Sequence, residues 1–474
     1  MTKPYVPPEG SAPTQEVPRL ADVRAVHIVG IGGAGMRNIA KLFAARGIAV
    51  SGSDLKESGA VRDLRVAGTR VEVGHDAANI GDVGALVVSS AISPRNPEVR
   101  AAVERGIPVW TRAQALAAAA TDRRTLAVSG THGKTTTTSM LALILDRAGV
   151  DPSWVIGGEP NETGGGARAG ASDLFVVEAD ESDGTFLLLD PAVGVITNVE
   201  VDHVDFYRGG REEIEAAFAA FAARCARVVV CADDAGAMRS VTGCGRAVTT
   251  YGSGAGADVR IETVELGPTG ARGRLTIAGA TFDLRIGVDG THNLLNAAAA
   301  IASASLVDVD PAVAVEALAT FTGVHRRFEL RGSVRGADFY DDYGHVPTEL
   351  AVTLGTASRR GAERVIAVFQ PHRYSRTQAL WRELGESLVS ADVVVVTDVY
   401  GADQEPIPGV TGKLVVRGIA EAAPGRRVVY LPHRADVVRF LEREVRAGDL
   451  VLTMGCGDVW MLGDAALTAM REAS

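Results

Sequence analysis

The chain has 474 residues, 46% of them hydrophobic and 22% charged, and a formal net charge of −10. At roughly 150 residues per domain this length predicts about three domains, each able to bury a core. The acidic balance argues against a nucleic-acid binder, which carries a broad basic surface, but not against an anionic ligand held by a few local donors.

The four cysteines, Cys225, Cys231, Cys244 and Cys456, form no CxxC pair. Neither a zinc ribbon nor a redox dithiol is therefore expected, and a reducing cytoplasm is the simpler home. The residues through Pro18 are proline-rich and polar, which predicts a disordered leader rather than a signal peptide. No run of 18 or more apolar residues occurs, so no membrane span is expected.

In chain order, residues 25–29 (AVHIV) predict a buried strand, followed by a glycine loop at 30–35 (GIGGAG) and a helix over 36–46. Residues 86–89 repeat the strand pattern. Residues 125–129 (TLAVS) start a second strand–loop–helix unit around 130–135 (GTHGKT). Further buried strands are expected at 174–177, 193–197, 228–231, 365–369, 393–397 and 450–453. Short all-apolar strands alternating with helices predict parallel sheets covered on both faces. Residues 252–288 differ: glycine-rich turns between short alternating runs predict antiparallel hairpins inserted in the second domain. The expected division is 20–119, 120–327 and 328–474, three α/β domains.

The first glycine loop matches GxGxxG, and Asp54 follows about 20 residues later, the pattern of a dinucleotide site with an acid on the ribose. Such a loop reads phosphates, so NAD(H), a UDP-sugar or a tight turn without ligand all remain open. The second loop is shorter than the usual P-loop but keeps its working parts. Gly130 and Gly133 let backbone N–H groups close on phosphates, Lys134 offers a point charge, and Thr135 a hydroxyl for Mg²⁺. Two phosphate loops imply two nucleotide sites, and a plain dehydrogenase needs only one.

Residues 175–183 (FVVEADESD) put Glu178 at a strand end with Asp180, Glu181 and Asp183 behind it. Four acids in six positions suit a solvated loop, but beside a phosphate loop a metal site fits better. His203 follows another buried strand beside Asp202 and is a metal or substrate ligand candidate; the alternative is a structural histidine. Asn293 and Asn296 share a helix face, placed either for capping or for an amide contact to a base. Later come HRRF at 325–328, DDYGHVP at 341–347, FQPHRYSRT at 369–377, where Arg373 and Arg376 could hold a carboxylate, and MGCGD at 454–458.

In order and spacing, these motifs resemble the Mur ligases over nearly the whole chain. The GIGGxGM start with DDYGH and PHRYSRT looks like the branch that joins L-alanine to UDP-N-acetylmuramate. The resemblance implies a Rossmann-like N-terminal domain for the UDP-sugar, a central P-loop ATP domain, and a Rossmann-like C-terminal domain that brings L-alanine and closes the site. The implied reaction activates the muramyl carboxylate as an acyl phosphate in peptidoglycan precursor synthesis, with ATP as substrate and Mg²⁺ as cofactor. By resemblance, Gly32, Gly33, Gly35, Met36, Asp54 and Ser90 hold the UDP-sugar. Gly130, Thr131, His132, Gly133, Lys134, Thr135 and Thr136 hold the triphosphate. Thr135, Glu178 and His203 coordinate metal. Asn293 and Asn296 contact adenine, Arg327 neutralises phosphate, Asp342 touches the ribose and Tyr343 packs on the base. His345, Arg373 and Arg376 place alanine. Lys134, Glu178, His203 and Arg327 form the catalytic set. A cytoplasmic monomer or homodimer without nucleic-acid or membrane partners is expected.

The family pattern is departed from at three places. Arg37-Asn38 replaces a usual Ser-Gly, Gly166 stands where a GTNAR-like loop has asparagine, and Val346 stands where many members have a second histidine. Competing readings are a murein-tripeptide recycling ligase on the same sugar nucleotide, a nucleotide-sugar-binding regulator without turnover, and an NAD oxidoreductase.

Overall fold

The computed structural model describes residues 17–89, 91–182, 184–202, 206–207, 209–402 and 404–473. The expected disordered leader lies outside them up to residue 16, as do Ser90, Asp183 and His203. Three sheets organise the chain. It divides into two compact units: one runs to Leu266 and resumes over Gly270–Thr322, and the other holds Gly267–Thr269 and everything described from Gly323 on.

The first sheet has five parallel strands in the order Arg70–Val73, Ala49–Asp54, Ala25–Val29, Ala85–Val88, Val109–Thr111. Ala25–Val29 sits at its centre because Val26, Ile28 and Val29 are fully buried and β-branched residues pack well on a doubly covered sheet. The order changes direction at this strand, and its carboxyl end is where the first glycine loop emerges. In such sheets that point is the usual ligand crevice.

The second sheet has ten strands and shares the larger unit. Its parallel centre runs Ala247–Gly252, Arg227–Cys231, Val193–Ile196, Arg124–Ser129, Leu174–Glu178, Ser153–Val155. The glycine-rich stretch expected as inserted hairpins extends this sheet at one edge. Gly270–Ile277 and Ala280–Ile286 pair antiparallel, while Val259–Gly267 joins the end of Ala247–Gly252 in parallel. Helix Lys134–Arg147 follows the second glycine loop and packs against Thr291–Ser305. The alanines at 297–300 are wholly buried, and such small side chains let two helices approach closely.

The smaller unit carries six strands in the order Glu329–Val334, Ala337–Asp342, Asp449–Met454, Arg364–Phe369, Val393–Val396, Arg427–Tyr430. The first pair is antiparallel and the others parallel. Among the described residues, no helix is long and apolar enough to cross a membrane.

Candidate functional site

Most of the motifs singled out in the sequence sit at the carboxyl end of a strand or the start of a helix, where backbone donors and side chains converge; HRRF, over 325–328, instead precedes the strand Glu329–Val334. In the first glycine loop, Gly30 adopts φ +73°, and Gly30 and Ile31 donate their N–H groups to Ser53 O at 2.8 and 3.0 Å. Asp54 Oδ2 accepts from Gly32 N at 2.9 Å, and a Cβ on Gly32 would lie 2.8 Å from that oxygen. The acid expected on a ribose is thus the tie that shapes the loop. Gly33 is the N-cap of helix Ala34–Ala45, Gly35 lies in its first turn, and Met36 is buried in the core.

Arg37 and Asn38 sit in the same helix and reach into the central-domain segment that holds Gly166. Arg37 Nη2 pairs with Glu159, so this cation is already committed. Asn38 is buried and donates to Ile156 O at 2.8 Å. A Cβ on Gly166 would come within 2.5 Å of Asn38 Nδ2 and 2.6 Å of Gly158 O. Two departures from the family pattern, at 38 and 166, therefore meet in space: the asparagine absent from the loop faces an asparagine supplied by the helix.

The second glycine loop is clasped from outside. Gly130 has φ +133° and Gly133 φ +80°, and added Cβ atoms would lie 1.9 Å from Thr197 Oγ1 and 2.6 Å from Asn296 Oδ1 respectively. Thr197 Oγ1 donates to His132 O at 2.6 Å, Asn198 Oδ1 accepts from His132 N at 2.8 Å, and Thr131 Oγ1 accepts from Glu200 N at 2.9 Å. His132 Nε2 lies 3.3 Å from Glu200 Oε2. After the strand Val193–Ile196 the sequence points only to His203, and the role of Thr197, Asn198 and Glu200 was missed. The available signal was a buried strand ending in Thr-Asn, two short hydrogen-bonding side chains.

Lys134 Nζ donates to Gly130 O (2.5 Å), Thr131 O (3.2 Å) and Glu181 Oε1 (2.9 Å). Glu181 is completely buried. Burial pushes its carboxyl up to about 7 against the pull of Lys134, and the charge of Asp180 adds to the rise. Burial alone would lower the Lys134 ammonium, but Glu181, then Asp180 and Glu178, hold it above its ordinary value. Asp180 goes the other way: Arg112 and Lys134 more than reverse what burial does and hold it well below the usual carboxylate range.

The two described members of the expected metal set are adjacent. Glu178 Oε1 accepts from Thr135 Oγ1 at 3.0 Å, and Oε2 accepts from Gly157 N at 2.7 Å. A hydroxyl and a carboxylate side by side are the hard oxygen donors that Mg²⁺ takes, and it keeps its remaining positions for water and phosphate. Among the described residues no cluster of three or more His, Cys, Asp or Glu makes a closed protein cage. Asn296 is 7% exposed and rests on the loop at Gly133, its Nδ2 donating to Asn293 Oδ1 at 3.3 Å, while Asn293 Nδ2 donates to Asp289 O at 2.8 Å. Thr136 stands half-buried in the first turn of the loop's helix.

In the smaller unit, Arg326 and Arg327 both lie over the Tyr343 ring, at 5.0 and 5.1 Å from its centroid. Arg326 is structural, binding Asp341 Oδ2 at 2.9 Å and Gly455 O at 2.6 Å. Asp342 is buried and accepts from Gly344 N, Phe328 N and Thr353 Oγ1. Burial pushes its carboxyl up to about 6, with Arg327 opposing. His345, His372 and Tyr400 form a line of rings with centroids 5.7 and 5.8 Å apart. Arg376 Nη1 lies 3.2 Å from His372 Nδ1 and is 6% exposed. Arg373 has φ +65°, a left-handed backbone that costs a non-glycine residue about 1 kcal/mol or more. His345, Arg373 and Arg376, chosen from sequence, thus gather around His372 and Tyr400, which were not. Val346 is buried at the N-cap of helix Pro347–Ser358.

Three family models match this chain in succession: the Mur ligase family catalytic domain over residues 25–124, the Mur ligase middle domain over 128–304, and the Mur ligase glutamate ligase domain over 326–457. The chain belongs to the Mur ligase family. Within that family it is 47% identical to a UDP-N-acetylmuramate–L-alanine ligase of Kineococcus radiotolerans, covering 98% of this chain and 99% of the relative. A protein of the same name from Thermobifida fusca is 46% identical over 94% of this chain and 96% of its own length. Among solved structures, the UDP-N-acetylmuramate–alanine ligase of Thermotoga maritima superimposes with a TM-score of 0.80 at 28% identity, covering 95% of this chain and all of that one. A murein peptide ligase of Psychrobacter arcticus gives a TM-score of 0.72 at 25% identity over 94% and 98%. These Mur ligase likenesses agree with the α/β architecture and the motif order read from the sequence.

Proposed function

We propose that this Mur ligase joins L-alanine to the carboxylate of UDP-N-acetylmuramate at the expense of ATP, in peptidoglycan precursor synthesis. The observation that carries the reading is the pair of glycine loops in one compact unit, the second holding Lys134 beside Glu178 and Thr135. The relatives' shared name supports the substrates.

A carboxylate is a poor electrophile, so a carboxylate oxygen attacks the γ-phosphorus, ADP departs, and an acyl phosphate forms. The alanine nitrogen then attacks the acyl carbon, phosphate leaves, and the nitrogen sheds a proton to give the amide. Two anions meet in the first step, which makes preorganised cations the main contribution of the protein. Lys134 and the N–H groups of the loop's helix bind the triphosphate. Thr135 and Glu178 fit Mg²⁺, with His203 the third expected ligand outside the described residues; the ion supplies charge neutralisation on the phosphates. Arg373 and Arg376, with His345, take the alanine carboxylate. Arg327 and Asp342 with Tyr343 serve the nucleotide, and Asn293 and Asn296 the adenine. Gly32, Gly33, Gly35 and Asp54 build the UDP-sugar loop, with Met36 packed beneath it and Ser90 its further expected contact. We take the enzyme to work in the cytoplasm as a monomer or homodimer.

Phosphate release should require both UDP-N-acetylmuramate and L-alanine. Release that is equally fast with either omitted overturns the ligase reading, and preferential use of an L-alanyl tripeptide moves the assignment to peptide recycling.

A further inference from the structure

We propose that Asn38, on the helix that follows the first glycine loop, is a positioning residue for the carboxylate of Glu178 at the second loop, and that it acts through a single peptide group. The inference rests on the reading of Glu178 as a Mg²⁺ ligand. The peptide is the one between Ile156 and Gly157. Its carbonyl, Ile156 O, accepts from Asn38 Nδ2 at 2.8 Å, and its N–H, on Gly157, donates to Glu178 Oε2 at 2.7 Å. Thr135 Oγ1 donates to the other oxygen of that carboxylate at 3.0 Å. A chain of hydrogen bonds thus runs from helix Ala34–Ala45 through one peptide and one carboxylate to the phosphate loop.

The C=O and N–H of one peptide lie in one rigid plane and point opposite ways. A donor on the carbonyl therefore fixes where the N–H points, and it also polarises the peptide so that the N–H donates more strongly. The surroundings are built to hold this plane. Strand Ser153–Val155 ends just before it, paired with Leu174–Glu178, and Ile156 is fully buried with its N–H on Gly166 O at 2.7 Å. Asn38 is 4% exposed, in the second turn of its helix, and Arg37 beside it pairs with Glu159 two residues beyond the peptide. One helix grips the segment at two points. Glycine at 157 is required for the close approach, since a Cβ there would lie 2.8 Å from both oxygens of Glu178.

Without Asn38 the buried Ile156 carbonyl has no donor, and a buried carbonyl left unpaired turns toward whatever water it can reach. That rotation carries the Gly157 N–H away from Glu178 and frees the carboxylate to swing. A metal ligand depends on such outer partners to keep its orientation. Helix Ala34–Ala45 then serves both loops: its start follows the first, and its second turn sets the carboxylate at the second. Transfer between two bound anions needs its parts held in register, and one rigid element supplies that register. The glycine usual in the family at 38 has no side chain to donate. The link belongs to this chain's Asn38 together with Gly166, whose missing Cβ leaves the amide its room.

The test is Mn²⁺ binding to the full chain carrying ADP, read by electron paramagnetic resonance, beside calorimetric Kd values for metal-free ADP and for UDP. Asn38→Ala, close in size to the family's glycine, and Asn38→Leu, which keeps the branching and removes the donor, should each raise Kd for Mn²⁺ about 10-fold and leave the other two within about twofold, the lower end of what losing an outer partner of a metal ligand costs. Gly157→Ala disturbs the same carboxylate from the far end of the same peptide and should show the same selective loss. Combined with Asn38→Ala it should be no worse than Gly157→Ala alone, because both variants break one path. An unchanged Kd for Mn²⁺ in the Asn38 variants overturns the proposal. So does a rise shared equally by Mn²⁺, ADP and UDP, which marks Asn38 as packing alone, and so do losses that add in the double variant. If Glu178→Gln keeps the wild-type affinity for Mn²⁺, the reading of Glu178 as a metal ligand falls instead.

Discussion

Gly30 and Gly130 both end a buried parallel strand and both lead into a helix, yet the two loops are completed in different ways. The loop at 30–35 is drawn in by its neighbouring strand, through Ser53 O and the single carboxylate of Asp54. The loop at 130–135 is gripped by Thr197, Asn198 and Glu200 from a strand end about 65 residues away, and carries its own lysine, which is itself held by a buried glutamate. One loop carries no basic residue of its own; the other is held from several sides and is self-sufficient in charge. The difference matches the tasks proposed for them. A pyrophosphate that stays intact needs only to be held, whereas a γ-phosphoryl in transfer needs donors fixed in advance of the charge that develops.

The sharpest way to break this comparison is Lys134→Ala. Removing the built-in cation should lower turnover at least ~10²-fold, read as phosphate release at saturating substrates. Residual activity above a tenth would mean that the second loop is no more self-sufficient than the first. A smaller, paired effect separates the loops. Thr197→Val removes the donor to His132 O and should raise KM for ATP several-fold with the UDP-sugar untouched. Asp54→Ala leaves Gly32 N without its acceptor and should do the converse. Each loses one tie, about 1 kcal/mol or roughly fivefold; crossed effects in steady-state kinetics would show that the two loops are not independent.

The smallest expected effect is on pH. The fold holds the Glu181 carboxyl at about 7, above its ordinary 4.5. The folded chain therefore binds that proton more tightly than the unfolded one, and this group subtracts stability as pH rises from about 4.5 to about 7. In Glu181→Gln the melting temperature should lose this fall, giving a flatter profile across that interval. A profile parallel to wild type would show that Lys134 fully compensates the buried carboxylate.

Much of this was legible in the sequence, and what was not has a common cause. Strands such as Val193–Ile196 and Asp449–Met454 announced themselves because burial on both faces demands unbroken apolar runs. Ala49–Asp54 and Arg70–Val73 did not, since AVSGSD and RVEV pair toward the sheet edge and mix polar with apolar residues. At the site, residues inside a motif were singled out by their spacing: Lys134, Thr135, Glu178, Arg373, Arg376. Contacts made from elsewhere in the chain were missed: Thr197 and Asn198 on the phosphate loop and Tyr400 on His372, while Glu181 stood inside a chosen motif without its tie to Lys134 being visible. Local periodicity says which way a side chain faces, and nothing about which distant loop stands opposite it.

The contact between Asn38 and Gly166 has a consequence for anyone exchanging parts between this chain and its relatives. The amide of Asn38 fills the space that a side chain at 166 would need, and Ile156 N closes the segment on Gly166 O at 2.7 Å. Restoring the family's asparagine at 166 alone would force two amides into one volume, and restoring glycine at 38 alone would strand the Ile156 carbonyl. The two positions share one volume although 128 residues of chain separate them, so a chimera joined anywhere between them keeps only one side of that contact.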